Sequence, residues 1–220
     1  MNEKGEELLA ELVEIHKKMN TLIDTQVSSE SGFHQTILNI KNTFFRGIAP
    51  SATNKSINFF NVVNDDIEKF REKANENKLG LYVFSLRLKE EESIEGFKSD
   101  WQSFKQENPR LSMPAVRGND SGSHHYKKIN RKDEIRHILY IGKSENLSER
   151  LKSHIEYGSD STYCLRLKKF NEYVQKKKKR NKYEIDVCYI YSNEKNVSYI
   201  LYPLERLLRK QFVPLLGSAR

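Results

Sequence analysis

The sequence predicts an α+β protein in which a small three-stranded antiparallel sheet is flanked by helices. Three segments have the character of strands: residues 79–88 and 138–141 are apolar runs, and residues 183–191 alternate apolar and polar side chains. Residues 147–155 and 197–212 instead have apolar side chains at helical spacing. Strands and helices are interspersed without an internal repeat, which favours one mixed domain of about 100–150 residues with extensions.

Residues 1–79 are predicted to form a helical region that precedes this domain. Helices are expected over residues 33–45 and 65–78, whereas residues 51–63 have no clear pattern. A short coiled-coil seam, with alternating spacings of four and three, consists of Leu8, Leu12, Ile15, Met19 and Leu22. Two heptads are marginally stable alone. The seam must therefore pack on the chain's own domain or join a homodimer, and the sequence leaves both open.

Residues 89–135 form an insertion between the first two predicted strands. A helix is expected over residues 93–106, because apolar residues recur there at helical spacing. This apolar stripe consists of Ile94, Phe97, Trp101 and Phe104. Residues 108–130 are rich in Pro, Gly, Ser and Asn, which predicts a long loop. A loop of that length in a compact domain is more typical of a functional or disordered segment than of an idle one.

A strand–turn–helix unit follows the insertion. The strand over residues 138–141 is expected to stop at Gly142, where the chain can turn tightly. Asn146 offers an N-cap oxygen, and Glu149 stands three residues later, where it would complete a capping box. The predicted buried stripe of the helix consists of Leu147, Leu151 and Ile155.

Arg150 and His154 share a different face of this helix, because they are four residues apart. Tyr140, in the preceding strand, and Lys143, beside the turn, belong to the same unit. Each residue alone has an ordinary structural explanation, since tyrosines fill strands and a helical Arg–His pair usually faces solvent. It is their joint spacing that indicates a site.

The remaining chain is expected to form a helix over residues 162–175, a basic run, the third strand and a final helix that ends before Pro214. By default the basic run, residues 176–180, is a solvated loop. Glu205 lies in the final helix with Arg206 and Arg209 close in sequence, so alone it would be taken for a surface or ion-pair residue.

Composition points to a polyanionic partner, because the formal net charge is +8. No apolar run approaches the roughly 18 residues of a spanning helix, and no basic amphipathic helix with aromatic anchors favours a membrane surface. Cys164 and Cys188 lack a C-x-x-C spacing, which argues against zinc and against a disulfide framework. The acidic N-terminus does not have the order of a signal peptide. We expect a cytoplasmic protein that binds nucleic acid.

The segment Tyr140-Ile141-Gly142, with Arg150 eight residues after the glycine and His154 four further on, resembles the GIY-YIG nuclease family. The other half-motif of that family is a strand reading Gly-Ile-Tyr, and Gly80-Leu81-Tyr82 is similar to it. The metal-binding glutamate of the family sits on a late helix before a proline, as Glu205 does. The resemblance covers residues 80–88 and 136–217. It implies a nuclease domain over residues 80–220 that carries the insertion 89–135.

The resemblance also implies roles for these residues. Glu205 would hold one Mg²⁺ or Mn²⁺, with water filling most of the octahedron. Arg150 would contact the scissile phosphate, because a guanidinium fork matches two oxygens. Tyr82 and Tyr140 are both candidates for a general base with a lowered phenol pKa, and the resemblance implies that Tyr82 has this role.

Two further residues have less definite roles. His154 is expected to orient or deprotonate the attacking water, or to hold Tyr82. Lys143 is a candidate for lowering the tyrosine pKa or for gripping a phosphate. His124 and His125 lack partners at a ligand spacing, so no metal role is expected for them. One departure from the family is Gly217, which stands where an asparagine is common; the adjacent Ser218 is a candidate substitute.

Contacts with DNA are expected from the basic run and from the insertion. The candidates are Lys143, Lys176, Lys177, Lys178, Lys179, Arg180, Arg117 and Asn119. Lysines beside a phosphate provide affinity without sequence reading, whereas Arg117 and Asn119 are the residue types that read guanine and adenine. A loop that contacts only phosphates is the alternative for the insertion.

Taken together, these features predict a metal-dependent endonuclease that hydrolyses phosphodiester bonds in double-stranded DNA. The large insertion and the N-terminal helices favour a sequence-specific type II restriction endonuclease or a related defence nuclease. A DNA repair or structure-specific nuclease is the alternative within the enzyme class. A non-catalytic nucleic-acid-binding module is the alternative outside it.

Overall fold

The computed structural model describes residues 58–61, 79–88, 93–117, 128–131, 134–156, 158–178, 183–192 and 198–217. Several predictions fall outside these residues. They are the helices over residues 33–45 and 65–78, the coiled-coil seam, and the roles of Asn119, His124, His125, Lys179, Arg180 and Ser218.

The α+β class is confirmed by an antiparallel sheet with helices packed against it. The three predicted strands form its centre, as β2 (Leu79–Leu88), β5 (Glu134–Ser144) and β6 (Tyr183–Ser192). A short strand extends the sheet at each side: β1 (Asn58–Asn61) beside β6, and β4 (Lys128–Arg131) beside β5. Within the described residues the sheet thus has five strands, in the order β1-β6-β2-β5-β4, where the sequence predicted three.

Edge strand β4 was not predicted from the sequence, and its pairing explains why. Residues 108–130 are predicted as a loop, but the end of that range belongs to β4, which pairs with β5 and sets Arg131 opposite Glu134. The polar sequence of β4 has no apolar pattern. An edge strand is held by backbone hydrogen bonds to its neighbour, and side-chain periodicity does not report these.

Strand β2 is the central strand and carries the first site residue. It pairs with β5 on one side and β6 on the other, so that Tyr82 lies opposite both Gly142 and Tyr189. Nearly every side chain from Leu79 to Leu86 is buried. A strand with neighbours at both edges and cover on both faces reads as a continuous apolar run, which explains why β2 was predictable.

The first described element of the insertion is helix α1 (Ile94–Glu107), which is capped by the hydroxyl of Ser93. Its predicted stripe is confirmed, since the buried residues include Phe97, Trp101 and Phe104. The ring of Phe97 lies 5.7 Å from that of Phe170 and 5.1 Å from that of Tyr183. These aromatic contacts fix the first part of the insertion to the core of the domain.

Three more helices follow: α2 (Leu147–Ile155), α3 (Leu167–Lys178) and α4 (Ser198–Phe212). The predicted N-cap of α2 is confirmed, because Asn146 Oδ1 accepts the N–H of Glu149 at 3.2 Å. Helix α3 begins five residues later than the predicted position 162. The reason is Arg166, whose φ of 55° lies in the left-handed region and keeps the preceding residues out of the helix.

A second, two-stranded sheet ties the insertion to the end of the chain. Strand β3 (Ala115–Val116) pairs with β7 (Leu216–Gly217), and the N–H of Arg117 donates to the carbonyl of Leu215 at 3.0 Å. The N–H of Leu215 in turn donates to Ile138 on β5 at 2.9 Å. No helix in the described part of the chain is long and apolar enough to cross a bilayer.

Candidate active site

Tyr82 is the centre of a buried hydrogen-bond network between β2 and α2. Its hydroxyl oxygen lies 2.8 Å from Nε2 of His154 and accepts Nε–H of Arg150 at 3.2 Å. The Tyr82 side chain is 1% exposed, and His154 is fully buried. Three residues that were predicted to share a site are therefore in direct contact, although 68 and 72 positions separate Tyr82 from its partners.

The tautomer of His154 follows from its second hydrogen bond. The backbone N–H of Leu165 donates to Nδ1 at 3.1 Å, so Nδ1 must be the acceptor and the proton of the neutral ring must be on Nε2. Burial holds the pKa of His154 well below its usual range, and the charge of Arg150 acts in the same direction. The imidazole is thus neutral, and its Nε2–H donates to Tyr82. The tyrosine oxygen accepts two hydrogen bonds and retains its own proton for a third partner.

The phenol pKa values contradict one prediction. Burial raises the pKa of Tyr82, the neighbouring Tyr140 raises it further, and the charge and hydrogen bond of Arg150 only partly oppose this. The pKa of Tyr140 is also raised, mainly by burial, with Arg209 and Arg150 in opposition. The expectation of a lowered phenol pKa is therefore wrong for the protein alone. Desolvation of a buried phenolate exceeds the stabilisation from one guanidinium.

Gly142 has a different role from the predicted tight turn. Strand β5 continues through Gly142 to Ser144, and the ring of Tyr82 lies against the glycine. A Cβ atom at this position would lie 2.4 Å from both Cζ and the hydroxyl oxygen of Tyr82. Because glycine has no side chain, the Tyr82 ring can lie close enough to β5 to reach its hydrogen-bond partners.

Glu205 lies on α4, and its charge reaches both tyrosines. Its side chain is 15% exposed, and Oε1 is 3.5 Å from Nε of Arg209. Burial raises the pKa of Glu205 above its ordinary value, and the charges of Arg209, Lys143 and Arg150 only partly oppose this. One carboxylate thus faces three cationic side chains, which is an arrangement suited to an anionic ligand.

This donor set is compatible with a magnesium ion that is shared with a phosphate. Within the described residues no group of three or more His, Cys, Asp or Glu side chains could hold a metal. Mg²⁺ is commonly held by one or two carboxylates together with substrate phosphates and water. Glu205 fits the single-carboxylate form of such a site.

Arg209 was named from the sequence only as an ion-pair neighbour of Glu205, and the structure places it in the candidate site. Its Nε–H donates to the carbonyl of Ile141 at 3.1 Å, and its guanidinium carbon lies 5.5 Å from the centre of the Tyr140 ring. It links Glu205, Tyr140 and β5. The four-residue spacing between Glu205 and Arg209 was the available signal.

The loop between α2 and α3 makes backbone hydrogen bonds to Arg150 and His154. The carbonyl of Tyr163 accepts Nη2–H of Arg150 at 2.8 Å, and the same loop supplies the Leu165 N–H to His154. Arg166 fixes this loop: its guanidinium donates to Gly158 at 2.8 Å and to Ser159 at 2.6 Å. Arg166 is fully buried, and sequence reasoning had assigned it to a helix.

The predicted DNA contacts are distributed over several elements. Lys143 is half-buried at the end of β5, with Nζ 5.9 Å from the centre of the Tyr202 ring. Lys176, Lys177 and Lys178 belong to α3 rather than to a loop. Lys177 donates to Glu107 on α1, so this lysine has an acidic partner within the protein.

Arg117 lies beside the candidate site, at the end of β3. A Cβ atom on Gly217 would lie 3.1 Å from Nε of Arg117, so the guanidinium packs against the glycine. Burial and Tyr140 raise the pKa of Tyr163, and the charges of Arg209, Arg117 and Arg150 lower it. The position that departs from the family pattern is thus covered by a cation from the insertion.

Neither a family model, nor a curated protein, nor a solved structure matches the chain.

Proposed function

We propose that this protein is a metal-dependent endonuclease of the GIY-YIG type that hydrolyses phosphodiester bonds in double-stranded DNA in the cytoplasm. The observation that carries the proposal is the network in which Tyr82 accepts hydrogen bonds from His154 and Arg150 while the charge of Glu205 reaches the same phenol. Hydrogen bonds from an imidazole and a guanidinium to one buried phenol oxygen favour its phenolate, and titratable groups with such specific partners cluster at functional sites.

The proposed role of Tyr82 is to take the proton of the attacking water. Its phenolate, once formed, accepts hydrogen bonds from Nε2–H of His154 and Nε–H of Arg150, and both stabilise the negative charge. His154 is the positioning residue, since its fixed tautomer directs a donor at the phenol. Because burial raises the pKa of Tyr82, the reactive form is scarce at neutral pH.

Arg150 is proposed to bind the scissile phosphate. Tyr82 and the carbonyl of Tyr163 each accept one of its N–H groups, and a guanidinium has further donors for phosphate oxygens. These two contacts hold the fork in one orientation, which is the preorganisation that charge development in the transition state requires. Mg²⁺ or Mn²⁺ held by Glu205 would neutralise further charge on the phosphate and on the leaving oxygen.

A restriction endonuclease or related defence nuclease is our first interpretation within this class. The insertion supports it, because Arg117 follows β3 and packs against Gly217 on β7, and its charge acts on Tyr163, whose carbonyl accepts a hydrogen bond from Arg150. A structure-specific or repair nuclease is the second, and the exposed Tyr202 beside Lys143 favours it.

The direct experiment is incubation of the purified protein with a supercoiled plasmid and magnesium, with and without a chelator. Discrete metal-dependent fragments would support a restriction enzyme, and diffuse degradation a less specific nuclease. Binding of the plasmid without cleavage would refute the enzyme and leave a nucleic-acid-binding module. Arg150→Ala should lose cleavage. Lys152→Ala is the matched control, because it removes the same charge from the same helix.

A further inference from the structure

One large hydrophobic side chain stands out among the described residues because it is exposed. Tyr202, in the first half of α4, is 62% exposed, and no other large hydrophobic side chain in the described part of the chain is classed as exposed. A single exposed aromatic residue on a surface needs no explanation by itself. Tyr202 differs from such a residue because Lys143 and Glu205 lie beside its ring.

Tyr202 adjoins the candidate site on two sides. It precedes Glu205 by three residues on the same helix, so the two side chains are neighbours on the helix surface. Lys143, from the end of β5, lies with Nζ 5.9 Å from the centre of the Tyr202 ring, and the charge of Lys143 acts on the Glu205 carboxylate. An exposed ring, an ammonium group and the proposed metal carboxylate therefore form one continuous edge.

This combination matches the chemistry of an unpaired nucleotide. The lysine and the nearby Arg150 and Arg209 attract phosphates, and an aromatic ring on a basic surface offers a face on which any base can stack. A membrane surface or a protein interface can also use an aromatic ring, but the Glu205 carboxylate beside this ring would repel an anionic headgroup or an acidic side chain, whereas a phosphate can share a metal ion with it.

We propose that Tyr202 stacks on an unpaired nucleobase next to the bond that is cut, while Lys143 contacts the adjoining phosphate. This inference rests on the proposed nuclease function and deepens its second interpretation, a structure-specific or repair nuclease. In an intact duplex both faces of each base are covered by neighbouring bases. Such a contact therefore requires a base that is extruded or single-stranded, and the protein should prefer DNA with an unpaired nucleotide at the cleavage position.

The test measures stacking without cleavage. Wild-type protein in a chelator is titrated with an oligonucleotide that contains a fluorescent adenine analogue, whose emission falls when it stacks. The analogue is placed in a one-base bulge, in a single strand, or in a perfect duplex. The variants are Tyr202→Ala, Tyr202→Phe, which keeps the ring, and Lys210→Ala, which removes an exposed charge from the same helix.

We expect quenching with the bulge and the single strand, and retention of that quenching in Tyr202→Phe and Lys210→Ala. Tyr202→Ala should lose the quenching and weaken binding of the bulge by roughly tenfold or more, the usual effect of removing one aromatic stacking partner. Its affinity for the perfect duplex should change little.

Three results would overturn the proposal. They are quenching that persists in Tyr202→Ala, an equal loss of affinity for bulged and perfect DNA, and a change in sedimentation of Tyr202→Ala that reveals a second copy of the chain, or another segment of it, as the partner of the ring. Because no bond is cut in this assay, its outcome is separate from that of the nuclease proposal. Stacking without magnesium-dependent cleavage would refute only the enzyme, and cleavage without stacking would refute only the role of Tyr202.

Discussion

Removing the hydroxyl group of Tyr82 while keeping its ring tests the network at its centre. In Tyr82→Phe the core volume is preserved, so no cavity forms and the packing against Gly142 remains. What changes is that Nε2–H of His154 and Nε–H of Arg150 lose their common acceptor. His154 is fully buried, and water has no access to replace the lost partner.

The size of the effect follows from these two donors. A buried donor left without an acceptor costs about 1–3 kcal/mol. Arg150 is only part-buried, and hydration should offset most of its loss. We therefore expect the free energy of unfolding to fall by about 1–3 kcal/mol and Tm to fall by roughly 3–10 °C. Cleavage should be lost, because the proposed base is absent.

The assay is urea denaturation together with cleavage at saturating DNA. Tyr173→Phe is the matched control: its hydroxyl donates to Glu107 at an exposed position, so its removal should change stability by less than about 0.5 kcal/mol. If Tyr82→Phe is as stable as the wild type, the two donors are satisfied in another way and the network is misassigned. If Tyr82→Phe folds and cuts DNA at the wild-type rate, Tyr82 is a structural residue and not the base.

Three other predictions concern the surroundings of Tyr82. Gly142→Ala should reduce stability by about 1–3 kcal/mol, the range for overpacking, and abolish cleavage, since its Cβ would meet the Tyr82 ring at 2.4 Å; unchanged denaturation and cleavage would refute the close approach. Arg166→Met should lower kcat by about 10–100-fold with little change in DNA affinity, because the loop that aligns Arg150 and His154 loses its clamp; a selective loss of affinity would contradict this. The cleavage rate should rise with pH through about pH 10, the ordinary phenol pKa, without levelling off there, because burial raises the pKa of Tyr82 above that value and the deprotonated form is the base; a plateau near neutral pH would exclude that assignment.

The sequence was informative where side-chain periodicity reports burial. Strand β2, helix α1 and helix α4 were predicted within two residues of their ends, because each buries a regular apolar pattern. Arg150 and His154 were grouped by their spacing, and Tyr82 was added by the resemblance to the GIY-YIG family; the structure brings the three within hydrogen-bond distance.

The sequence was uninformative where structure depends on contacts between side chain and backbone. The left-handed conformation of Arg166 and its bonds to loop carbonyls delay the start of α3, and no local pattern encodes that choice. Gly142 was taken for a turn because its distant partner, Tyr82, is 60 positions away in the sequence. The raised phenol pKa depends on burial, which a motif does not express.

The most direct test of the central claim is magnesium-dependent cleavage by Glu205→Gln. The amide keeps the shape of the side chain and removes the anionic ligand, so single-turnover cleavage at saturating DNA should fall by about 10²-fold or more. DNA affinity measured in a chelator should be retained, because the phosphate-binding cations Arg150, Arg209 and Lys143 remain. Cleavage near the wild-type rate at ordinary magnesium concentrations would contradict the assignment of Glu205 as the metal ligand, and with it the proposed mechanism.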